Sequence, residues 1–192
     1  MELKKFLGAA LAAMLIAGGL SAAALAQNSM MSNSMQDPMV GGAAMSPAKN
    51  IVQNAANSKD HTTLVALVKQ AGLVQTLESP GPFTVFAPTN AAFAKLPKAT
   101  VDKVTSDNAL LTKVLTYHVI AGRLDSKAIE AKIAAGGGSA KLTTVEGESL
   151  TAKMDGAKLV LIDAHGDTST VTIADVYQSN GIIHVVDTVL VP

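Results

Sequence analysis

Cysteine and tryptophan are absent from this chain of 192 residues, and aromatic residues make up only 3% of it. Without thiols there are no disulfides, no zinc-thiolate centres, no thiol catalysis and no lipid-modified N-terminal cysteine. With so few rings, stacking platforms for bases or sugars are not expected. Excess charge is missing too, since 15 Lys and Arg face 15 Asp and Glu. A neutral balance gives no long-range attraction to nucleic acid or to an anionic membrane. What is present is a 48% share of apolar residues, enough for one packed core in a chain of single-domain length.

The apolar residues are unevenly spread. Lys4 and Lys5 precede a nearly unbroken apolar run from Phe6 to Leu20, and Ala24-Leu25-Ala26 follows as a small-x-small cleavage site. Residues 1–26 therefore read as a signal peptide, with the mature chain beginning at Gln27. A retained anchor is the alternative, because the run is about long enough to span a bilayer. The cleavage site and the polar stretch after it favour removal. The mature protein is then secreted or periplasmic, with no stable membrane insertion and no oxidative step in its folding.

Residues 27–46 are rich in Met, Ser, Asn and Gly and show no helical or strand period, so a disordered linker is expected there. It holds five of the eight methionines: Met30, Met31, Met35, Met39 and Met45. Thioethers suit Cu(I), which makes Met30, Met31, Met35 and Met39 an alternative metal site. Compositional drift in an unconstrained tail is the plainer reading, and no cofactor is expected.

From residue 47 the pattern is that of a folded domain. Ile51, Val52 and Ala55 mark a first helix over 48–57. Leu64, Leu67, Val68 and Ala71 form one apolar face of a second, capped by Asp60 or Thr62 and stopped at Gly72 with Leu73 beyond it. Phe83–Ala87 reads as a strand ended by Pro88, and Thr89 or Asn90 caps the helix after it. Further helices are capped at Asp107 or Asn108 and at Asp125 or Ser126, the last closed by Gly136-Gly137-Gly138. Tyr117–Ile120 reads as a strand, which would send the Tyr117 and His118 side chains to opposite faces. From Lys141 on, strands dominate, with turns at Asp155-Gly156 and Asn180-Gly181. Asn180-Gly181 is expected to supply a positive φ. Both faces of the last strand are apolar, which marks it as interior. Helices early and strands late argue for an α+β fold.

Three stretches in order, FTVFAPTNAAF (83–93), LTYHVIAGRL (115–124) and SNGIIHVVDTVLVP (179–192), resemble the fasciclin domain family, as does DHTTLVALVKQAGLVQTL before them. The resemblance covers about residues 47–192. It implies a β-wedge or sandwich of about seven strands with helices packed around it. It also implies a non-catalytic role in extracellular adhesion, binding envelope or matrix protein or polysaccharide. A signal peptide ahead of one such domain looks like the small secreted bacterial members, and a monomer is expected. The position of Asn90 is often Asp in that family. In animal adhesion proteins of the family, the segment around the matching Tyr-His is linked to receptor binding, so Tyr117 and His118 are the binding candidates carried over.

Read from the residues alone, the motifs are mostly structural. Phe83, Phe86 and Phe93 are expected core anchors, Pro88, Thr89 and Asn90 a strand end and helix cap, Asn180 and Gly181 the turn into the last strand, and His184 a residue inside it. His61, His118, His165 and His184 lack HxH or HExxH spacing, so hydrogen-bonded packing histidines are favoured over metal ligands. No GxSxG elbow supports a hydrolase. Gly136-Gly137-Gly138-Ser139 lacks the GK[ST] ending of a phosphate loop. Asp163, Gly166 and Asp167 do not follow the calcium-loop order and read as a turn. The sequence thus points to a non-enzymatic, exported binding module. Intact mass of the exported protein checks the first step: it should correspond to a chain starting at Gln27, and a mass retaining residues 1–26 would contradict it.

Overall fold

The computed structural model describes residues 37–192. The expected signal peptide, and Met30, Met31 and Met35 of the methionine cluster, lie outside the described residues.

The helical half runs α1 Ile51–Asn57, a 3-10 turn Lys59–His61, α2 Thr62–Gln70, α3 Val74–Glu78, α4 Asn90–Lys95, α5 Lys98–Ser106 and α6 Asn108–Tyr117, with α7 Ser126–Ala135 after it. Local chemistry sets most of these ends. Asn50 and Gln53 form a reciprocal capping box at α1, and Thr89, Asp107 and Asp125 cap α4, α6 and α7 with their side chains. Gly72, at φ +70°, stops α2: Leu73 N–H donates to Val68 O at 3.1 Å and Gly72 N–H to Lys69 O at 3.1 Å. That is the Schellman pairing, and it needs the left-handed conformation that glycine adopts without strain.

Seven strands form one sheet: β3 Phe83–Pro88, β4 Val119–Ala121, β5 Ser139–Thr143, β6 Ser149–Asp155, β7 Lys158–Ile162, β8 Thr168–Gln178 and β9 Gly181–Val186, in the order β4-β3-β9-β8-β7-β6-β5. Only the β3–β9 pair is parallel. The two edges approach each other, through an Ile120–Thr144 bridge and a 2.7 Å bond from Val145 N–H to Val119 O. Closure of that kind leaves little free edge. β8 leaves β7 after three paired residues and bends, with register shifts around Ile173, to follow β9. The α+β wedge expected from the sequence is the fold observed.

All six residues of β9 are buried, and alternation along the strand explains why. Ile183 and Val185 pack with Val85, Ala87 and the helices α1, α2 and α6, while Val186 packs with Phe86, Tyr117 and Leu161 inside the wedge. The last strand is therefore the wall between two cores. Of the three phenylalanines expected as anchors, Phe86 is fully buried, while Phe83 and Phe93 are half-buried against the first core.

Two local expectations shift. The β6–β7 hairpin turns at Gly156–Ala157, one residue later than read, since Asp155 still pairs with Lys158. The expected disordered stretch is also too long. Residues 39–44 fold as a small hairpin, β1 Met39–Val40 against β2 Ala43–Ala44, turning through Gly41 and Gly42. Val40 and Met45 are both 2% exposed in the first core, so the ordered domain reaches back before residue 47. Burial of two large apolar side chains outweighs the ordering of a few residues, and two-residue strands carry no readable period. Met45→Ala should then cost about 2–5 kcal/mol in urea unfolding. Deleting residues 27–46 should lower the melting temperature by several degrees; an unchanged midpoint in both experiments would put Met45 outside the core.

Candidate functional site

The Tyr-His pair lies at the end of a helix rather than in a strand. Tyr117 is the last residue of α6, His118 is its C-cap at φ −86°, ψ 0°, and β4 begins only at Val119. Strand alternation does not apply at a helix end, so the expectation that one side chain faces solvent fails. Tyr117 is 0% exposed and His118 3%. The Tyr117 hydroxyl accepts from Ala164 N–H at 3.2 Å, and burial pushes its pKa up. His118 donates from Nδ1 to Val114 O at 2.8 Å and accepts at Nε2 from Leu190 N–H at 3.1 Å. Both ring nitrogens are occupied in a neutral tautomer, and burial holds the imidazole pKa below its ordinary value. The pair thus ties the end of α6 to the loop after β7 and to the C-terminal segment. As sites of direct contact with a partner, both side chains are enclosed.

The third motif works in the same way. Asn180 precedes β9 and is buried. Its Oδ1 accepts from Ile51 N–H, the first residue of α1, at 3.0 Å, and its Nδ2 donates to Leu77 O at 2.7 Å and Ser79 O at 3.1 Å at the end of α3. One amide satisfies a helix start and a helix end that would otherwise be orphaned. Gly181 does not take the positive φ expected of it. Its glycine is required by close approach instead, because a Cβ there would lie 2.1 Å from Phe83 O. His184 stacks on Phe86 with centroids 5.5 Å apart, donates from Nε2 to Leu124 O at 2.9 Å and accepts at Nδ1 from Asp175 N–H at 3.3 Å. It too is held neutral, its pKa lowered by burial.

In the first motif, Thr89 caps α4 as expected, accepting from Ala92 N–H. Asn90 serves a different helix. Its Oδ1 accepts from Thr63 N–H at 3.0 Å, and its Nδ2 donates to Lys59 O at 2.8 Å. The start of α2 is therefore capped from across the fold, and not by Asp60 or Thr62. An aspartate at position 90 would keep the acceptor and add negative charge at a helix N-terminus, which is favourable, while losing only the donor to Lys59.

Several holding residues escaped the sequence reading. Asn54 is 0% exposed, pairs with both backbone groups of Ser46 and bonds the Gln178 side chain. Asp175, at φ 59°, accepts from Ser126 N–H at 2.7 Å at the start of α7. Neither carries a readable signal, since Asn54 bonds Ser46 outside its own helix and Gln178 far off in the chain, and Asp175 bonds Ser126, also distant in sequence. The Asp163 carboxylate accepts from the backbone N–H of His165, Asp167 and Val191, which makes the 163–167 segment a tied turn. Among the described residues, no cluster of three His, Asp or Glu is arranged to hold a metal. Of the methionines proposed as copper ligands, Met39 lies among the described residues and is exposed; Met45, the fifth methionine of the stretch and not one of those ligands, is enclosed in the core.

Three buried neutral histidines have a consequence for acid stability. His61, like His118 and His184, has its pKa lowered by burial. Below about pH 6.5 the unfolded chain takes up protons that the folded state refuses, so stability is complete above that pH and falls as pH drops toward the folded values. Between about pH 7.5 and pH 5.5 the urea midpoint should fall, as the unfolding free energy drops by at most ~1.4 kcal/mol per pH unit for each histidine. A flat midpoint would mean that these rings titrate normally. Tyr117→Ala and His118→Ala should each destabilise by roughly 2–5 kcal/mol, from a cavity or from unpaired backbone groups. Asn90→Asp should stay within about 1 kcal/mol of the parent. Urea denaturation of the three variants checks all of this, and a near-neutral His118→Ala would refute its holding role.

The sequence profile of the Fasciclin domain matches residues 59–192. Protein sll1483 of Synechocystis is 39% identical over 176 residues, spanning 91% of this chain and 89% of that protein. Immunogenic protein MPB70 of Mycobacterium bovis is 36% identical over 143 residues, 72% of this chain and 66% of that protein. Cell surface glycolipoprotein MPB83 of the same species is 35% identical over 161 residues, 82% and 61% respectively. The solved FAS1 domain pair of the insect cell adhesion molecule Fasciclin I superposes with a TM-score of 0.62 at 20% identity, over 76% of this chain and 52% of that one, which establishes likeness of fold. Profile, relatives and fold agree, and this chain belongs to the fasciclin domain family.

Proposed function

We propose that the protein is an exported, non-catalytic binding module that contacts protein or polysaccharide of the cell envelope or extracellular matrix. The observation that carries this reading is how the motif side chains are used. Asn90, Tyr117, His118, Asn180 and His184 all direct their polar atoms to backbone groups of the same chain. Residues spent on holding a scaffold rigid suit a protein that presents a surface, since a preorganised surface loses less entropy on binding. Relatives described as cell-surface and immunogenic proteins support an extracytoplasmic setting. Among the described residues no helix is long and apolar enough to cross a membrane.

With Tyr117 and His118 enclosed, the contact falls to exposed groups. Tyr177 on β8 is 40% exposed, and the Arg123 guanidinium lies 5.2 Å from its ring centroid. An exposed tyrosine steadied by arginine combines two of the three side-chain types enriched at binding hot spots. The test is capture from solubilised envelope and extracellular polymer on immobilised mature protein. Tyr177→Ala should lower capture at least tenfold, the scale of a hot-spot truncation, and leave the melting temperature unchanged. Capture no greater than that of an unrelated immobilised protein would overturn the reading. Full capture by Tyr177→Ala would move the contact elsewhere on the surface.

A further inference from the structure

A cavity of about 60 Å3 lies between the helical layer and the sheet. Ala55 of α1, Val68 of α2, Leu77 of α3, Phe83 of β3, Val119 of β4 and Ile183 of β9 form its walls. Of all its lining residues, only Thr76, Thr116 and His118 carry polar side chains. Thr76 is exposed at the rim, and the other two are committed in part or in full. Thr116 donates its hydroxyl to Thr112 O at 2.7 Å, and both ring nitrogens of His118 are bonded within the fold. A water molecule needs two to four polar partners to settle in a cavity, and the interior offers it little beyond the acceptor lone pairs of the Thr116 hydroxyl. Such a space stays dry and is filled best by apolar matter.

We propose that this cavity takes the aliphatic tail of an amphiphile, a fatty-acyl chain whose headgroup stays in solvent. Its size sets the length. One water-sized particle needs roughly 10–15 Å3, so the space holds about four to six methylene groups. Its chemistry sets the class. A peptide segment would bring backbone N–H and C=O groups into a chamber that cannot pair them, at a large desolvation cost, whereas methylenes ask for nothing but contact. The way in is marked by lining residues that keep solvent exposure: Val65, Leu73 and Thr116 in part, and Thr76 and Val145, which are exposed, Val145 at 44%. Val145 is one of three large apolar side chains exposed among the described residues. The cation near this rim is already engaged: Lys113 pairs with Glu148 at 3.0 Å and Glu146 at 3.5 Å, both in the turn just after Val145. Affinity therefore comes from the tail and not from the head. The inference goes beyond the surface-contact reading and does not depend on it.

Chain-length dependence is the direct test. Butanoate, hexanoate, octanoate and decanoate are titrated into the mature protein by calorimetry and by methyl NMR. Affinity should rise about three- to fourfold per methylene, the increment for burying one such group, and level off once the cavity is full. Ala55→Leu projects new carbons into the space and should weaken octanoate at least tenfold while keeping or raising the melting temperature. Val65→Leu, at the exposed side of the lining, provides the same test should the first variant fold poorly. Co-sedimentation with phosphatidylglycerol vesicles separates the sources: retention on vesicles, lost in Ala55→Leu, assigns a tail held in a bilayer, and binding of the free acids alone assigns a soluble amphiphile. Affinity independent of chain length, or octanoate binding unchanged in both filled variants, would overturn the proposal.

Discussion

Everything in this domain is arranged around a strand that never touches water. β9 is buried along its whole length, with β3 on one side, β8 on the other and a separate apolar core on each face. Burial of that extent is strongly favourable for the side chains, but its ends and neighbours present backbone groups that water cannot reach. Each must find a partner inside the protein. Asn180 supplies that partner at the entry to β9, where a single amide joins the start of α1 to the end of α3. His184 does so in the middle of the strand, and His118 beyond its end, through Leu190. The helical layer and the wedge are held in register through these few bonds.

The same logic explains why the motifs look functional in the sequence and prove to be architectural. Polar residues placed among apolar ones usually mark either a site or a satisfied burial. Here Asn90, Tyr117, His118, Asn180 and His184 each have a backbone partner at ordinary hydrogen-bond distance, while His61 bonds the Ser58 hydroxyl through Nδ1 and leaves its buried Nε2 unpaired; all three histidines stay neutral because the interior disfavours their charged form. The binding function proposed for the domain then rests on outward-facing groups such as Tyr177, and the rigid interior keeps those groups in place. The apolar cavity beside His118 fits this picture, because a chamber lined almost wholly by aliphatic and aromatic side chains favours aliphatic ligands.

How much could be read from the chain alone follows the range of each interaction. Helix caps at Asp107 and Asp125, the stop at Gly72 and the two-faced character of β9 are local patterns, and the structure bears them out. The α+β wedge followed from the motif order. The reading failed where partners are distant in sequence. The Tyr117-His118 pair looked like a strand because Val119 and Ile120 after it do form one; the helix before it simply runs two residues further than its apolar period showed. Gly181 looked like a turn residue, yet what requires glycine there is the carbonyl of Phe83, nearly a hundred positions earlier. Asn90 looked like a local cap and instead serves α2. The segment from Met39 to Met45 looked disordered by composition, and two buried side chains order it.

The claim that one buried amide joins the helical layer to the wedge is tested most directly by Asn180→Asp, which preserves shape and changes only the donor end. The substitution keeps an acceptor for Ile51 N–H but turns a carboxylate oxygen toward the carbonyls of Leu77 and Ser79, in a site that is 9% exposed. Urea denaturation near neutral pH should show a loss of at least about 3 kcal/mol, more than a single missing hydrogen bond would give, because a buried charge is left facing two acceptors. A change below about 1 kcal/mol would contradict the account and show that the layers hold together without Asn180.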